Sequence, residues 1–233
     1  LSQNKITSNP GNLQVIYEDN HLIAVNKRVG DIVQGDRTGD TPLSEHIKQY
    51  IKEKYAKPGA VFLGVTHRLD RPTTGVVVFA RTSKALTRMN KLFAGKETKK
   101  IYWAVVGNSP QKDEGVLIHW LKRNPKQNKS YAHISEVAGS KRAELSYRVV
   151  RKLDRYTLLE IELMTGRHHQ IRAQLSGIGC PIKGDLKYGF PRSNPDGGIH
   201  LHARSLGFEH PVKKEWIELE AAPPQDPIWD ACL

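Results

Sequence analysis

His67-Arg68-Leu69-Asp70-Arg71-Pro72-Thr73-Thr74-Gly75 lies between two apolar runs, at 60–65 and 76–80. Each run is short and rich in β-branched residues, the pattern of a buried strand. The charged stretch between them is open to two readings. It can be a solvated turn, since connections between strands are polar. It can equally be a carboxylate, Asp70, kept ionised at the mouth of a sheet by the arginines at 68 and 71.

The chain has 233 residues, with 36 Lys plus Arg against 24 Asp plus Glu, a formal charge of +12. That length buries a sizeable core and allows two domains without requiring them. The pattern is read as one domain over 13–233, behind a flexible lead-in at 1–12 that holds the turn-rich Asn9-Pro10-Gly11-Asn12. The charge points to an anionic partner, nucleic acid or membrane surface. No apolar run approaches the roughly 18 residues of a spanning helix, and the first residues lack the apolar core of a secretory signal. The expectation is a soluble, cytoplasmic monomer. The two cysteines, Cys180 and Cys232, form no C-x-x-C pair, which argues against a disulfide scaffold or a structural zinc site.

Outward from the charged stretch, 13–17 and 22–25 read as strands joined by a turn. Thr41-Pro42 opens a helix with Leu43, Ile47, Tyr50, Ile51 and Tyr55 at helical spacing, and Thr82-Ser83 opens another with Leu86, Met89, Leu92 and Phe93 on one side, ending near Gly95. Lys84, Arg88 and Lys91 on that helix read as a solvated face. Lys99-Lys100-Ile101-Tyr102-Trp103-Ala104-Val105-Val106-Gly107 is a strand whose alternation sets Tyr102 opposite Ile101 and Trp103. Residues 121–133 are basic and short of aliphatics, as in a long loop that either contacts phosphates or only solubilises. Strands at 143–150 and 156–164 follow. Then Thr165-Gly166-Arg167-His168-His169-Gln170-Ile171-Arg172 leads into a helix from about His168, with Ile171, Leu175 and Ile178 on its core side and His168 one turn from Arg172.

Six segments carry a resemblance. HRLDRPTTG at 67–75 resembles the HRLD-x-x-(T/S)-(S/T)-G signature of the RluA-type RNA pseudouridine synthases, which convert uridine in RNA to its carbon-linked isomer. Lys100-Ile101-Tyr102 and the strand after it resemble the second motif of that family, and TGRHHQIR at 165–172 resembles the third. Ile199-His200-Leu201-His202-Ala203 with Leu206-Gly207-Phe208-Glu209-His210-Pro211 resembles its closing segment. The opening motif, NKPxG, is matched by Asn26-Lys27-Arg28-Val29-Gly30, with Arg28 in place of proline. Pro181-Ile182-Lys183-Gly184-Asp185-Leu186-Lys187-Tyr188-Gly189 resembles the family loop after the third motif. The likeness runs from about residue 13 to 222, with no S4-type RNA-binding domain.

The resemblance implies a mixed α/β (α+β) catalytic domain with a largely antiparallel central sheet flanked by helices. It implies Asp70 as the catalytic residue and Tyr102 as the residue that contacts the target base. A basic residue of the third motif pairs with the aspartate; Arg172 is assigned to this, with Arg167 as the alternative. Arg68 would fill the gap left by the extracted base, and His67, Arg167, His168 and Lys100 would contact RNA. The substrate would be ribosomal or transfer RNA. The isomerisation is redox-neutral and transfers no external group, so neither metal nor organic cofactor is implied. A carboxylate suits the chemistry as nucleophile or as base, and the base must leave its stack at a cost of a few kcal/mol.

Two other classes fit parts of the sequence. His200-x-His202 and the pair His168-His169 raise a zinc hydrolase, but no H-E-x-x-H occurs. A non-catalytic RNA-binding module fits the charge as well as an enzyme does. A carboxylate amid that cationic surface weakens such binding, which favours a chemical role for Asp70. A membrane-surface protein would need a basic amphipathic helix with an aromatic face, and none is seen.

Overall fold

The computed structural model describes residues 6–36 and 38–233. In chain order the elements are β1 (Val15–Glu18), β2 (Leu22–Lys27), α1 (Leu43–Lys54), β3 (Gly64–Val65), β4 (Thr74–Ala80), α2 (Ser83–Gly95), β5 (Thr98–Val106), β6 (Glu114–Asn124), β7 (Lys129–His133), β8 (Lys141–Lys152), β9 (Thr157–Leu163), α3 (Gln170–Gly177), β10 (Leu201–Glu209), β11 (Trp216–Glu220) and α4 (Pro227–Cys232). This is the mixed α+β class the motifs imply, with antiparallel pairing throughout the registers that follow. By internal contacts the chain forms two compact units, 1–99 with 203–224 and 100–202 with 225–233.

In the first unit β2 pairs along its whole length with β4, from Leu22 opposite Ala80 to Lys27 opposite Gly75. β1 pairs with β2, and β11 with β10. Alternation sends Leu22, Ala24, Val76, Val78 and Ala80 to one face, where Ala85 and Met89 of α2 cover them together with Leu206 and Phe208. Thr82 caps α2 by accepting from the Ala85 N–H, and Lys96 ends it in the left-handed region. The strand expected over 60–65 shrinks to Gly64–Val65, opposite Ala80 and Phe79, and Phe62 stays 47 % exposed. The physical reason is edge space: β4 gives one edge to β2 and shares the other between β3 and β10. The lead-in is also less loose than its composition suggests. Ser8 is buried, and its N–H and hydroxyl donate to the Asp31 carboxylate at 2.9 and 2.6 Å; residues 1–5 of that lead-in lie outside the described residues.

In the second unit the strands run β5-β9-β8-β6-β7, each antiparallel to the next. Ala104, Leu145, Tyr147, Leu159 and Ile161 make one face, and Ile171 and Leu175 of α3 pack on it. Val105 and Leu158, on the opposite face, are covered by Trp229 and Cys232 of α4. That helix was not expected, although Asp226-Pro227 is a start signal: the aspartate accepts from the Ile228 and Trp229 N–H groups and proline occupies the first turn.

The basic stretch 121–133 is a hairpin rather than a loop. β6 and β7 pair from Trp120 opposite His133 to Asn124 opposite Lys129. Its polar side chains stand on solvated strand faces while the ladder satisfies the backbone, so composition alone read as a loop what pairing makes regular. Leu121 and Ser130 are buried within it.

Candidate active site

The first unit holds His67, Arg68 and Asp70 of the residues singled out by sequence. They sit on the connection between β3 and β4, where the Thr73 N–H donates to the Asp70 carbonyl at 3.0 Å and closes a turn. Arg68 is exposed and Asp70 half-buried, while Leu69 between them points into the core. The Arg71 guanidinium reaches outward to Asp40 at 2.6 Å and to the Thr38 hydroxyl at 2.7 Å. His67 is built into the fold: its Nε2 accepts from the Val78 N–H at 3.1 Å, and its ring lies 4.9 Å from that of Phe93.

The turn is held from beneath by a residue that sequence reasoning quoted without assigning it a role. Lys27, at the end of β2, is fully buried. Its ammonium donates to the carbonyls of Thr73 at 2.7 Å, Arg28 at 3.0 Å and Arg71 at 3.1 Å. Three oxygen acceptors are what a buried ammonium requires to offset its lost hydration. The Gly30 N–H also donates to the Arg71 carbonyl, at 2.9 Å. Gly75 then lets the chain enter β4 at φ +115°, with its α-carbon so close to Ala203 that a β-carbon would overlap the Ala203 backbone.

The second unit holds Lys100, Tyr102, Arg167, His168 and Arg172. Tyr102, opposite Ile161 on β9, packs partly against the aliphatic core, while Trp103 turns to the opposite face and the α4 cluster. Lys100 is half-buried on the same strand. The helix begins at Gln170 instead of His168, because His169 takes φ +54° and ends the extended approach. His168 is therefore not on a helical face with Arg172. It stacks on His169 with centroids 3.8 Å apart, and its ring nitrogens meet Ser130 Oγ at 2.9 Å and Asn128 Oδ1 at 3.1 Å on the hairpin.

The two arginines of the third motif differ sharply. Arg167 is exposed and donates from Nε to the Arg142 carbonyl at 3.1 Å. Arg172 is 5 % exposed, and Asp185 accepts from its Nε at 2.7 Å and from its Nη2 at 2.9 Å. The Tyr188 ring lies 5.0 Å from the guanidinium carbon, and its hydroxyl joins His169 Nδ1 at 3.0 Å and the Ser130 N–H at 2.9 Å. Sequence reasoning quoted Asp185 and Tyr188 in the loop after the helix and gave neither a role. The signal was an acid thirteen residues past an arginine, which no local spacing rule interprets.

His200, one of the pair that raised a zinc site, has both ring nitrogens engaged, by Asn194 at 3.0 Å and Asp226 at 2.9 Å. Among the described residues no cluster of three or more His, Cys, Asp or Glu side chains is placed to hold a metal ion. Nor is any helix among them long and apolar enough to cross a membrane.

Comparison with known proteins gives one consistent answer. The family described as RNA pseudouridylate synthase matches residues 21–177. An RNA pseudouridine synthase of Bacillus subtilis, YlyB, is 32% identical over 225 residues, covering 95% of this chain and 72% of its own. The ribosomal large subunit pseudouridine synthase D of Zymomonas mobilis is 32% identical over 224 residues, covering 92% and 70%. In three dimensions the chain resembles human RNA pseudouridylate synthase domain containing 4, with a TM-score of 0.77 at 24% identity over 94% of this chain and 91% of that one.

Proposed function

Because the chain belongs to the RNA pseudouridylate synthase family and is thus an RNA-modifying isomerase, we propose that Asp70 is its catalytic carboxylate and that its substrate is a uridine of ribosomal or transfer RNA. The reaction breaks the bond between sugar carbon one and base nitrogen one, turns the base, and joins the same sugar carbon to base carbon five. Carbon five then loses its proton and nitrogen one ends up protonated, so the change is an isomerisation with no net transfer. Asp70 acts as nucleophile or base within that sequence. Names of relatives that act on the large ribosomal subunit favour ribosomal RNA as the first pool to try.

The observation that supports this reading best is how the Asp70 turn is built. Its backbone rests on the fully buried Lys27 ammonium and passes into β4 through a glycine that admits no side chain. A merely solvated turn needs no such support; a carboxylate that must be presented in one geometry does. Arg172 is the cation we assign to Asp70, in preference to Arg167, because a buried, pre-oriented guanidinium suits a carboxylate better than an exposed one. Tyr102 stacks on the extracted base, a contact worth about 1–3 kcal/mol in single-strand binders, and Arg68, exposed on the same turn as Asp70, fills the gap it leaves. Lys100, His67, Arg167 and His168 stand as the RNA contacts.

The test is release of tritium from carbon five of uridine in unmodified RNA. The parent protein should release it and Asp70→Asn should not, while both bind the RNA. Release by Asp70→Asn at the parental rate would remove Asp70 from the chemistry. A Tyr102→Phe variant should keep binding through the ring; loss of turnover in it would add a proton-transfer role for the hydroxyl.

A further inference from the structure

We propose that Arg28 is an RNA-binding residue whose guanidinium takes a phosphate of the strand carrying the target uridine, beside the Asp70 turn. The inference rests on the reading that this turn is the active site. Arg28 adjoins it closely. The Lys27 ammonium bonds the Arg28 carbonyl together with those of Arg71 and Thr73, so the three carbonyls crowd around one nitrogen. Other arginines of the first unit spend their guanidinium on the protein: Arg71 donates to Asp40, Arg81 to Glu18, Arg88 to the Pro211 carbonyl and Arg204 to Glu220. Arg28 and Arg68 form no side-chain hydrogen bond or ion pair with the described residues. Both belong to the surroundings of Asp70.

The two differ in depth. Arg68 is exposed, and water satisfies it; Arg28 is half-buried, and its Nη1 is enclosed with no acceptor. Arginine ordinarily buries its stem and keeps its head in water. A donor shut away unpaired costs the fold stability and calls for a reason outside the fold. Nη1 is the one Arg28 side-chain nitrogen so enclosed, which leaves Nε and Nη2 open to solvent. They form the same edge by which Arg172 grips the Asp185 carboxylate, and it matches two oxygens of a phosphate equally well. The described carboxylates around the turn are already engaged. Asp31 accepts from the Ser8 N–H and hydroxyl and from the Arg28 N–H, while Asp36 and Asp40 are held by Arg71 and Thr38. An anion from outside is what remains. For an RNA-modifying enzyme of formal charge +12, that anion is the RNA backbone. The opening motif of the family has proline at this position, so the fold itself requires no guanidinium there.

The experiment follows binding of a fluorescein-labelled, uridine-rich single-stranded RNA to the full chain by anisotropy over a range of salt concentrations. Arg28→Gln should bind about tenfold more weakly at low salt, and its plot of log affinity against log salt should be shallower by about 0.7, the loss of one phosphate contact. Arg28→Lys should keep the parental slope and lose part of the affinity, because an ammonium meets a phosphate without the fork. Lys84→Gln removes the same charge from the exposed face of α2 and should change neither quantity. In tritium release, Arg28→Gln should raise KM and leave kcat little changed. A parental slope in Arg28→Gln, or an equal shift in Lys84→Gln, would overturn the proposal, the first by leaving Arg28 a structural part only. So would a fall in kcat at unchanged affinity, which assigns Arg28 to the shape of the Asp70 turn, or a parent that binds no RNA. No tritium release from any RNA, with the slope change intact, would instead sink the catalytic reading and leave Arg28 its phosphate.

Discussion

Asp185 grips Arg172 through two parallel hydrogen bonds, to Nε and Nη2, with both side chains more than nine-tenths buried. Bidentate pairing fixes the plane of a guanidinium as well as its position. Asp185→Asn keeps the shape and removes the charge, and breaking a buried pair from one side costs about 3–5 kcal/mol. Its thermal midpoint should therefore fall steeply, and turnover should fall with it. The double variant Asp185→Asn/Arg172→Met should regain much of the stability, as apolar replacement of both partners often does, yet stay inactive. Recovery of turnover in the double variant would mean that Arg172 has only a structural part.

Lys27 lies at a different point of the argument, beneath the Asp70 turn. Lys27→Met preserves most of the volume but leaves the carbonyls of Arg28, Arg71 and Thr73 without that donor. An unsatisfied buried acceptor costs about 1–3 kcal/mol, so denaturant unfolding should show at least that loss. RNA affinity should change little, because the ammonium is fully buried. A variant as stable as the parent would show that the carbonyls find other donors.

Gly75 tests the same turn from its other end. Its φ of +115° is strained for any residue with a side chain, at a cost of about 1–3 kcal/mol, and an added β-carbon would overlap backbone atoms of Ala203 that no side-chain movement can relieve. Gly75→Ala should therefore lose more stability than the conformational cost alone and should express poorly at 37 °C. An alanine variant with parental stability would mean that β4 and β10 can separate there without penalty.

Local signals found what local physics builds. Thr82 opens α2 because its capping hydroxyl is written into the residue before the helix, and the β-branched run at 76–80 became β4 for a reason as local; the helix ends after Gly95 as expected, though the left-handed residue that stops it is Lys96. The Asp70 turn was legible because acid, arginines and glycine lie within nine residues. What stayed hidden depends on chain segments distant in sequence. Asp185 meets Arg172 thirteen residues away across a turn, Lys27 meets the carbonyl of a residue forty-six positions on, and the 121–133 hairpin exists because β8 offers β6 a ladder. His168 was misplaced by two residues of helix start, since nothing local announces that His169 takes a positive φ.

Three buried histidines shape the dependence of stability on pH: burial holds His119 below the ordinary histidine range as it does His200 and His210, and the last two are built alike. His210 Nδ1 accepts from the Val212 and Lys213 N–H groups at 3.2 and 2.9 Å, so its proton sits on Nε2 and is donated to Asp19 at 3.0 Å. His200 repeats the design, with Nδ1 against the Asn194 amide and Nε2 on Asp226. Burial holds both imidazoles below the ordinary histidine range, outweighing the pull of their aspartates. A group whose folded pKa is depressed gives stability that is complete above its unfolded value, near 6.5, and declines as pH falls below it. Asp19 opposes its own burial with the His21 and Leu22 N–H groups and lies at about 2, so its contribution persists until the pH drops below about 4. The thermal midpoint should accordingly be flat from pH 8 to about 6.5, fall between about 6.5 and 5, and fall again below about 4. In His200→Gln, whose amide can replace one ring hydrogen bond without titrating, the first fall should be shallower and the second unchanged. A midpoint that stays level down to pH 5 in the parent would show that none of these imidazoles resists protonation in the folded chain.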